Sequence, residues 1–186
     1  MMAATANANE PIDKNILILG DSLSAGLGVN YDQAWPSLLQ SRINKMEASY
    51  RVINAGVSGD TTSGGISRLP RLLKKYSPEI LILELGGTDG LRGTSLKAIE
   101  KNLSDMINSA QSSNITVLLV GVQLPPNYGA LYTKGFENIF SGLAEEHGLD
   151  LIQGSLKTMV NEGLICLLYT SPSPRDLSTS RMPSSA

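Results

Sequence analysis

Short apolar runs that alternate with helical stripes constrain this chain more than any other feature. The runs fall at 15–20, 51–55, 79–85, 115–121 and 149–153. The clearest of them, "ILIL" and "VLLV", are continuous, the pattern of strands covered on both faces. Between the runs, Trp35, Leu38, Leu39, Ile43 and Met46 recur at helical spacing. So do Leu96, Ile99, Leu103, Met106, Ile107 and Ala110, and further on Phe136, Ile139, Phe140 and Leu143. Leu69, Leu72 and Leu73 predict a shorter helix with Pro70 in its first turn, because a proline deeper inside removes a hydrogen bond. The β-α-β-α order predicts an α/β fold: a doubly wound parallel sheet of about five strands, with right-handed crossovers and helices on both faces. At 186 residues the chain is long enough for one domain with a real core.

Charge narrows the function classes. A formal net charge of −2 and a pI near 5.4 exclude a nucleic-acid-binding surface, which needs clustered lysine and arginine. The longest basic cluster, "RLPRLLKKY" at 68–76, has helical spacing and reads as a solvated helix face. Nothing approaches the ~18 consecutive apolar residues of a membrane span, so stable membrane insertion is not expected. The single cysteine, Cys166, excludes an internal disulfide. Residues 1–14 are polar and read as a flexible lead-in; they lack the basic start and apolar stretch of a signal peptide.

Open parallel sheets bind ligands beyond the carboxyl ends of their strands. Three unusual loops fall there: "GDSLSAG" after the first strand, "GVSGDTTSGG" after the second and "GGTDGLRG" after the third. A serine at a strand-to-helix corner presents its hydroxyl at the sheet edge, and the free N–H groups of such a corner can hold an oxyanion. Ser22 is therefore a candidate nucleophile and oxyanion donor. Gly59 can bring a second N–H close because no Cβ intervenes. Thr88 is either a third donor or a helix cap. Asp21, Asp60 and Asp89 read as loop-ordering carboxylates, and Arg92 as a surface residue. Two other readings stay open: a flavodoxin-like phosphate or nucleotide cradle at "SLSAG", and a remnant that holds an acyl group without turning it over. A flavin ring wants flanking aromatics, and "GGTDGLRG" has none.

From about residue 15 to 154 the chain resembles the SGNH, or GDSL, hydrolase family, most of all its bacterial arylesterases and multifunctional thioesterase/lysophospholipases. The likeness rests on "GDSLSAGLGV", "NAGVSGDTTSGGISRLP", "LELGGTDGLRG" and "QLPPNYG", in that order. It implies a flavodoxin-like three-layer α/β/α sandwich that hydrolyses small acyl esters or thioesters without metal or organic cofactor, in the periplasm or outside the cell. It maps the nucleophile and first oxyanion donor onto Ser22 and the second donor onto Gly59. The "QLPPNYG" stretch resembles a mobile substrate loop, with Leu124 lining the acyl site.

Two departures bear on activity. The family's third loop reads GGND, with an asparagine amide as donor, and Thr88 stands at that position. Its hydroxyl sits one bond closer to the backbone on a stiffer, β-branched side chain. The family's base and orienting acid come from an Asp-x-x-His motif after the fifth strand, and no such motif occurs here. The one histidine, His147 in "AEEHGLD", precedes the fifth strand and reads as an ordinary helix-end residue. Residues 166–176, "CLLYTSPSPRD", and 180–186, "SRMPSSA", resemble a translated sequencing adapter and are expected to be a non-native tail. The expectation is thus a hydrolase domain over 15–165, truncated near Ile165, lacking a last helix and carrying an exposed apolar patch in its place.

Overall fold

The computed structural model describes residues 14–46 and 48–153. Five strands, β1 (Lys14–Gly20), β2 (Tyr50–Asn54), β3 (Ile80–Glu84), β4 (Thr116–Gly121) and β5 (Asp150–Gln153), form one parallel sheet in the order β2-β1-β3-β4-β5. This is the flavodoxin-like order, and the predicted strand positions hold to within about a residue at each end. The interior strand β1 is buried from Ile16 to Gly20 because both faces are covered. The edge strand β2 is nowhere fully buried.

Helices α1 (Trp35–Lys45), α2 (Thr62–Tyr76), α3 (Gly87–Leu91), α4 (Leu96–Gln111) and α5 (Ala130–His147) complete the fold. The larger core joins Leu17, Leu19, Leu81 and Leu83 of the sheet to Leu69 of α2, to Ile99, Leu103, Met106 and Ile107 of α4, and to Phe136 and Phe140 of α5. The two phenylalanine rings meet edge to face at 5.3 Å. The smaller core lies on the opposite face, where Ile16, Ile18, Ile82 and Val120 pack with Trp35 and Ile43 of α1. Alternate residues of one strand thus feed two cores, which requires the continuous apolar runs. Residues 1–13 and 154–186, and with them the expected lead-in, last helix and non-native tail, lie outside the described residues.

Three readings need correction. Pro70 sits well inside α2, not in its first turn, because the helix begins at Thr62. The Thr61 side chain caps that start by accepting from the Gly64 N–H at 3.1 Å. Pro70 is on the exposed face, so the Ile66 carbonyl that it leaves without a helical donor can turn to solvent. Met46 is not part of the apolar stripe; it follows α1 and is 66% exposed. Helix α3 went unpredicted, since "GTDGL" carries no apolar period and is helical only where the ends of β1, β3 and α2 pin it.

Candidate active site

Strands β1 and β3 lie side by side, and their connections leave in opposite directions along the sheet, so the crevice above them is the topological switch point. Gly20 and Glu84, the last residues of the two strands, are in register. The chain leaves Gly20 in a tight turn closed by Ala25 N–H to Asp21 carbonyl at 2.9 Å and Leu27 N–H to Ser22 carbonyl at 3.0 Å. Ser22 is half-buried at the top of this turn, while Asp21 points inward and is 3% exposed. Burial raises the Asp21 carboxyl above the usual carboxylate range, opposed by the Leu23 and Thr88 N–H groups and by the Ser22 hydroxyl and N–H. Asp21 therefore ties the first loop to the third and stands directly beside the Ser22 hydroxyl.

The second loop is pinned at both ends. Val57 N–H donates to the Gly20 carbonyl at 3.0 Å, and the Gly56 backbone lies against Ser24 and Ala25 so closely that a Cβ would stand 2.6 Å from the Ala25 nitrogen. At the other end, Asp89 accepts from the Thr62 N–H at 2.8 Å and from its hydroxyl at 3.0 Å. Gly59 lies between these anchors with φ +77°, a conformation that favours glycine. It is exposed, open space surrounds the position of a Cβ, and among the described residues its N–H donates no hydrogen bond. That amide is available to a ligand.

Thr88 is the second residue of α3, whose N-cap is Gly86, so it is not a cap. Its N–H faces Asp21, and its hydroxyl, half-buried, has no partner among the described residues. Leu124, beyond β4, is 7% exposed and packs over Gly90 of α3 and beside Phe136. It thus packs against α3, the helix that carries Thr88. Asp60 accepts from the Arg68 guanidinium through Nε at 3.0 Å and through a closer Nη2 contact, while Nη1 donates to the Ala55 carbonyl at 2.9 Å. Arg68 is thus an exception to the solvated basic face: it braces the second loop, whereas Arg71, Lys74 and Lys75 remain exposed. Arg92, after α3, is exposed as expected.

Three residues that the sequence reading did not single out hold these loops together. Ser24 is fully buried and donates to Glu84 Oε2 at 2.5 Å, and its carbonyl accepts from Asn54 Nδ2 at 2.7 Å. Asn54 Oδ1 in turn accepts from the Gly56 N–H at 2.9 Å. The one available signal was the acidic end of "ILILE", because a carboxyl closing a doubly buried strand must meet a partner.

His147 ends α5 on the side of the sheet where the strands begin, remote from Ser22. Its Nε2 stands 3.1 Å from Ser104 Oγ, and the left-handed Gly148 closes the helix behind it. Among the described residues no group of three His, Cys, Asp or Glu side chains could hold a metal ion, and no helix is long and apolar enough to cross a membrane.

Comparison with known proteins finds relatives of this chain in sequence and in fold. Residues 18–164 match the family model of the GDSL-like Lipase/Acylhydrolase family. The Esterase TesA of Pseudomonas aeruginosa is 42% identical over 139 residues, covering 75% of this chain and 69% of the relative. The Thioesterase 1/protease 1/lysophospholipase L1 of Escherichia coli K12 is 42% identical over 137 residues, covering 74% of this chain and 64% of the relative. Among solved structures, AlinE4, an SGNH-hydrolase family esterase, aligns with a TM-score of 0.73 at 33% identity, covering 96% of this chain and 89% of that one.

Proposed function

Because the chain belongs to the GDSL-like lipase/acylhydrolase family, we propose that Ser22 is the nucleophile of a serine ester hydrolase whose domain spans residues 15–165. The substrates are acyl esters or thioesters of the kinds that the relatives' names describe. The observation that supports this reading is that three loops at one sheet edge carry the candidate groups: Ser22 tops the β1 turn, the Gly59 N–H, without a partner among the described residues, stands in the second loop, and the Thr88 hydroxyl lies near the start of the third. Loops from three neighbouring strands are bonded to one another beneath that edge.

In this reading the Ser22 hydroxyl attacks the acyl carbonyl. Charge develops on the carbonyl oxygen, and the Gly59 N–H and the Ser22 N–H, shared at rest with Asp21, turn to it. The Thr88 hydroxyl is the third donor, on a shorter side chain than an asparagine. The Ser22 proton passes to solvent, the acyl C–O or C–S bond breaks, the alcohol or thiol leaves with a proton taken from solvent, and water later releases the acyl group from Ser22. Deprotonation of Ser22 is the weak step. Asp21 accepts a hydrogen bond from the hydroxyl but is a poor base for it, and the one histidine of the sequence lies at the far end of α5. Loss of a base from a serine site costs about 10⁴–10⁶ in kcat. The chain as given therefore acylates slowly and turns over esters at trace rates.

The test is prolonged incubation with a fluorophosphonate, followed by peptide mass mapping, with p-nitrophenyl butyrate hydrolysis measured alongside. The expected result is an adduct on Ser22 that is lost in Ser22→Ala, with trace hydrolysis. An adduct on another residue, or brisk hydrolysis that survives Ser22→Ala, would sink the assignment.

A further inference from the structure

Glu84 is 2% exposed at the end of β3, yet only one of its oxygens has a partner: Oε2 accepts from Ser24, while Oε1 makes no hydrogen bond among the described residues. Among the described residues no cation pairs with it. Asp21, from the β1 turn, is the charged group that acts on it, and among the described residues neither α1 nor the flanking strands bring another. The Asp21 and Ser24 N–H groups also face the carboxyl and favour its charged form, but they do not offset burial and a second carboxylate nearby, an arrangement that a neutral acid in the same place avoids. Burial, and after it the charge of Asp21, pushes the Glu84 carboxyl up to about 8.

The position matters more than the charge alone. Ser24 is two residues from Ser22, and it is where three loops meet. Its hydroxyl goes to Glu84 on β3, its carbonyl to Asn54 on β2, and its backbone lies against Gly56. Moving Ser24 would shift Ser22 and, through Asn54 and Gly56, the loop that carries Gly59.

We propose that Glu84 is a positioning residue for the acyl-transfer site: through Ser24 it fixes the turn after β1 against the ends of β2 and β3, and so sets Ser22 relative to Gly59. The proposal rests on Ser22 being the nucleophile. Glu84 itself touches no reacting atom. Its neutral form holds the turn, and ionisation beside Asp21 loosens it.

Amide hydrogen exchange over residues 20–29 in the full chain reads this directly, at pH 6.5 and 9.0 after correction for intrinsic exchange. In the unmodified chain, protection of that segment falls by at least roughly tenfold at the higher pH, the linkage expected of a carboxyl that holds its proton more tightly when the turn is closed than when it is open. Glu84→Gln, which cannot ionise, keeps its protection. Ser24→Ala loses protection at both pH values and slows fluorophosphonate labelling of Ser22 by tenfold or more. An equal alkaline loss in Glu84→Gln and the unmodified chain overturns the proposal. Should Glu84→Gln fail to fold, Ser24→Ala decides, and unchanged protection there overturns it. Ser22→Ala separates the two ideas. If labelling persists in that variant, the nucleophile is wrong, while the exchange data still show whether Glu84 holds the turn.

Discussion

Replacing Glu84 by glutamine should make the protein more stable in mild alkali, the reverse of the usual outcome when a buried polar residue is changed. A carboxyl ordinarily titrates near 4.5 in an unfolded chain, and in the folded protein Glu84 titrates at about 8. Between those values the folded state holds a proton that the unfolded state has released. Stability is therefore greatest below pH 4.5 as far as this group is concerned, falls as pH rises through the window, and levels off above about 8. At about 1.4 kcal/mol per pH unit, the full window is worth roughly 3–5 kcal/mol, a large part of the stability of a domain this size. Asp21, also raised by burial, adds a fall of the same sign that begins at lower pH. Glutamine keeps the shape and still accepts from Ser24, so Glu84→Gln removes the Glu84 part of the slope. Trp35 is the one tryptophan and is 3% exposed against the sheet, so its fluorescence reports unfolding in urea. Midpoints at pH 5.5, 7.0 and 8.5 should fall steeply in the unmodified chain and more shallowly in the variant, which keeps only the Asp21 part, with the variant ahead by several kcal/mol at pH 8.5. Stability that rises with pH in the unmodified chain, or a variant that falls as steeply, would refute the reasoning.

Thr88→Asn should speed fluorophosphonate labelling of Ser22 by about 10²–10³, the usual worth of an oxyanion donor. An unchanged rate would show that position 88 does not reach the oxyanion. Asp89→Ala strands the buried Thr62 N–H and hydroxyl and should cost about 2–4 kcal/mol in urea unfolding; a loss under 0.5 kcal/mol would contradict the anchoring role described for it. His147→Ala should leave Ser22 labelling within twofold and cost about 1 kcal/mol through the lost Ser104 contact, so a tenfold fall in labelling would make this histidine catalytic after all.

The strands were legible because burial on both faces demands unbroken apolar runs, and "ILIL" and "VLLV" have few other uses. The long helices were legible from their stripes. Helix α3 and the interior place of Pro70 were not, because each depends on partners distant in sequence: Asp21 and Thr62 hold α3, and the Thr61 cap starts α2 early enough to leave Pro70 inside. The candidate nucleophile, the Gly59 amide and position 88 were readable as three loops on one sheet edge. Leu124, expected from the resemblance to line the acyl site, packs against Gly90 of α3, a contact that no local pattern announces.

By itself, then, the sequence determined the layered parallel fold and singled out one sheet edge with its three glycine-rich loops as the candidate site, since periodicity and loop chemistry are local properties. Which loops meet, and on what footing, was decided only by the tertiary structure. Ser24 and Glu84 are 60 residues apart, and Asp89 and Thr62 are 27 apart. No local pattern announces that a serine and a glutamate will share one buried hydrogen bond. That pairing follows from strand order, which places β3 directly beside β1 and brings Glu84 level with Gly20.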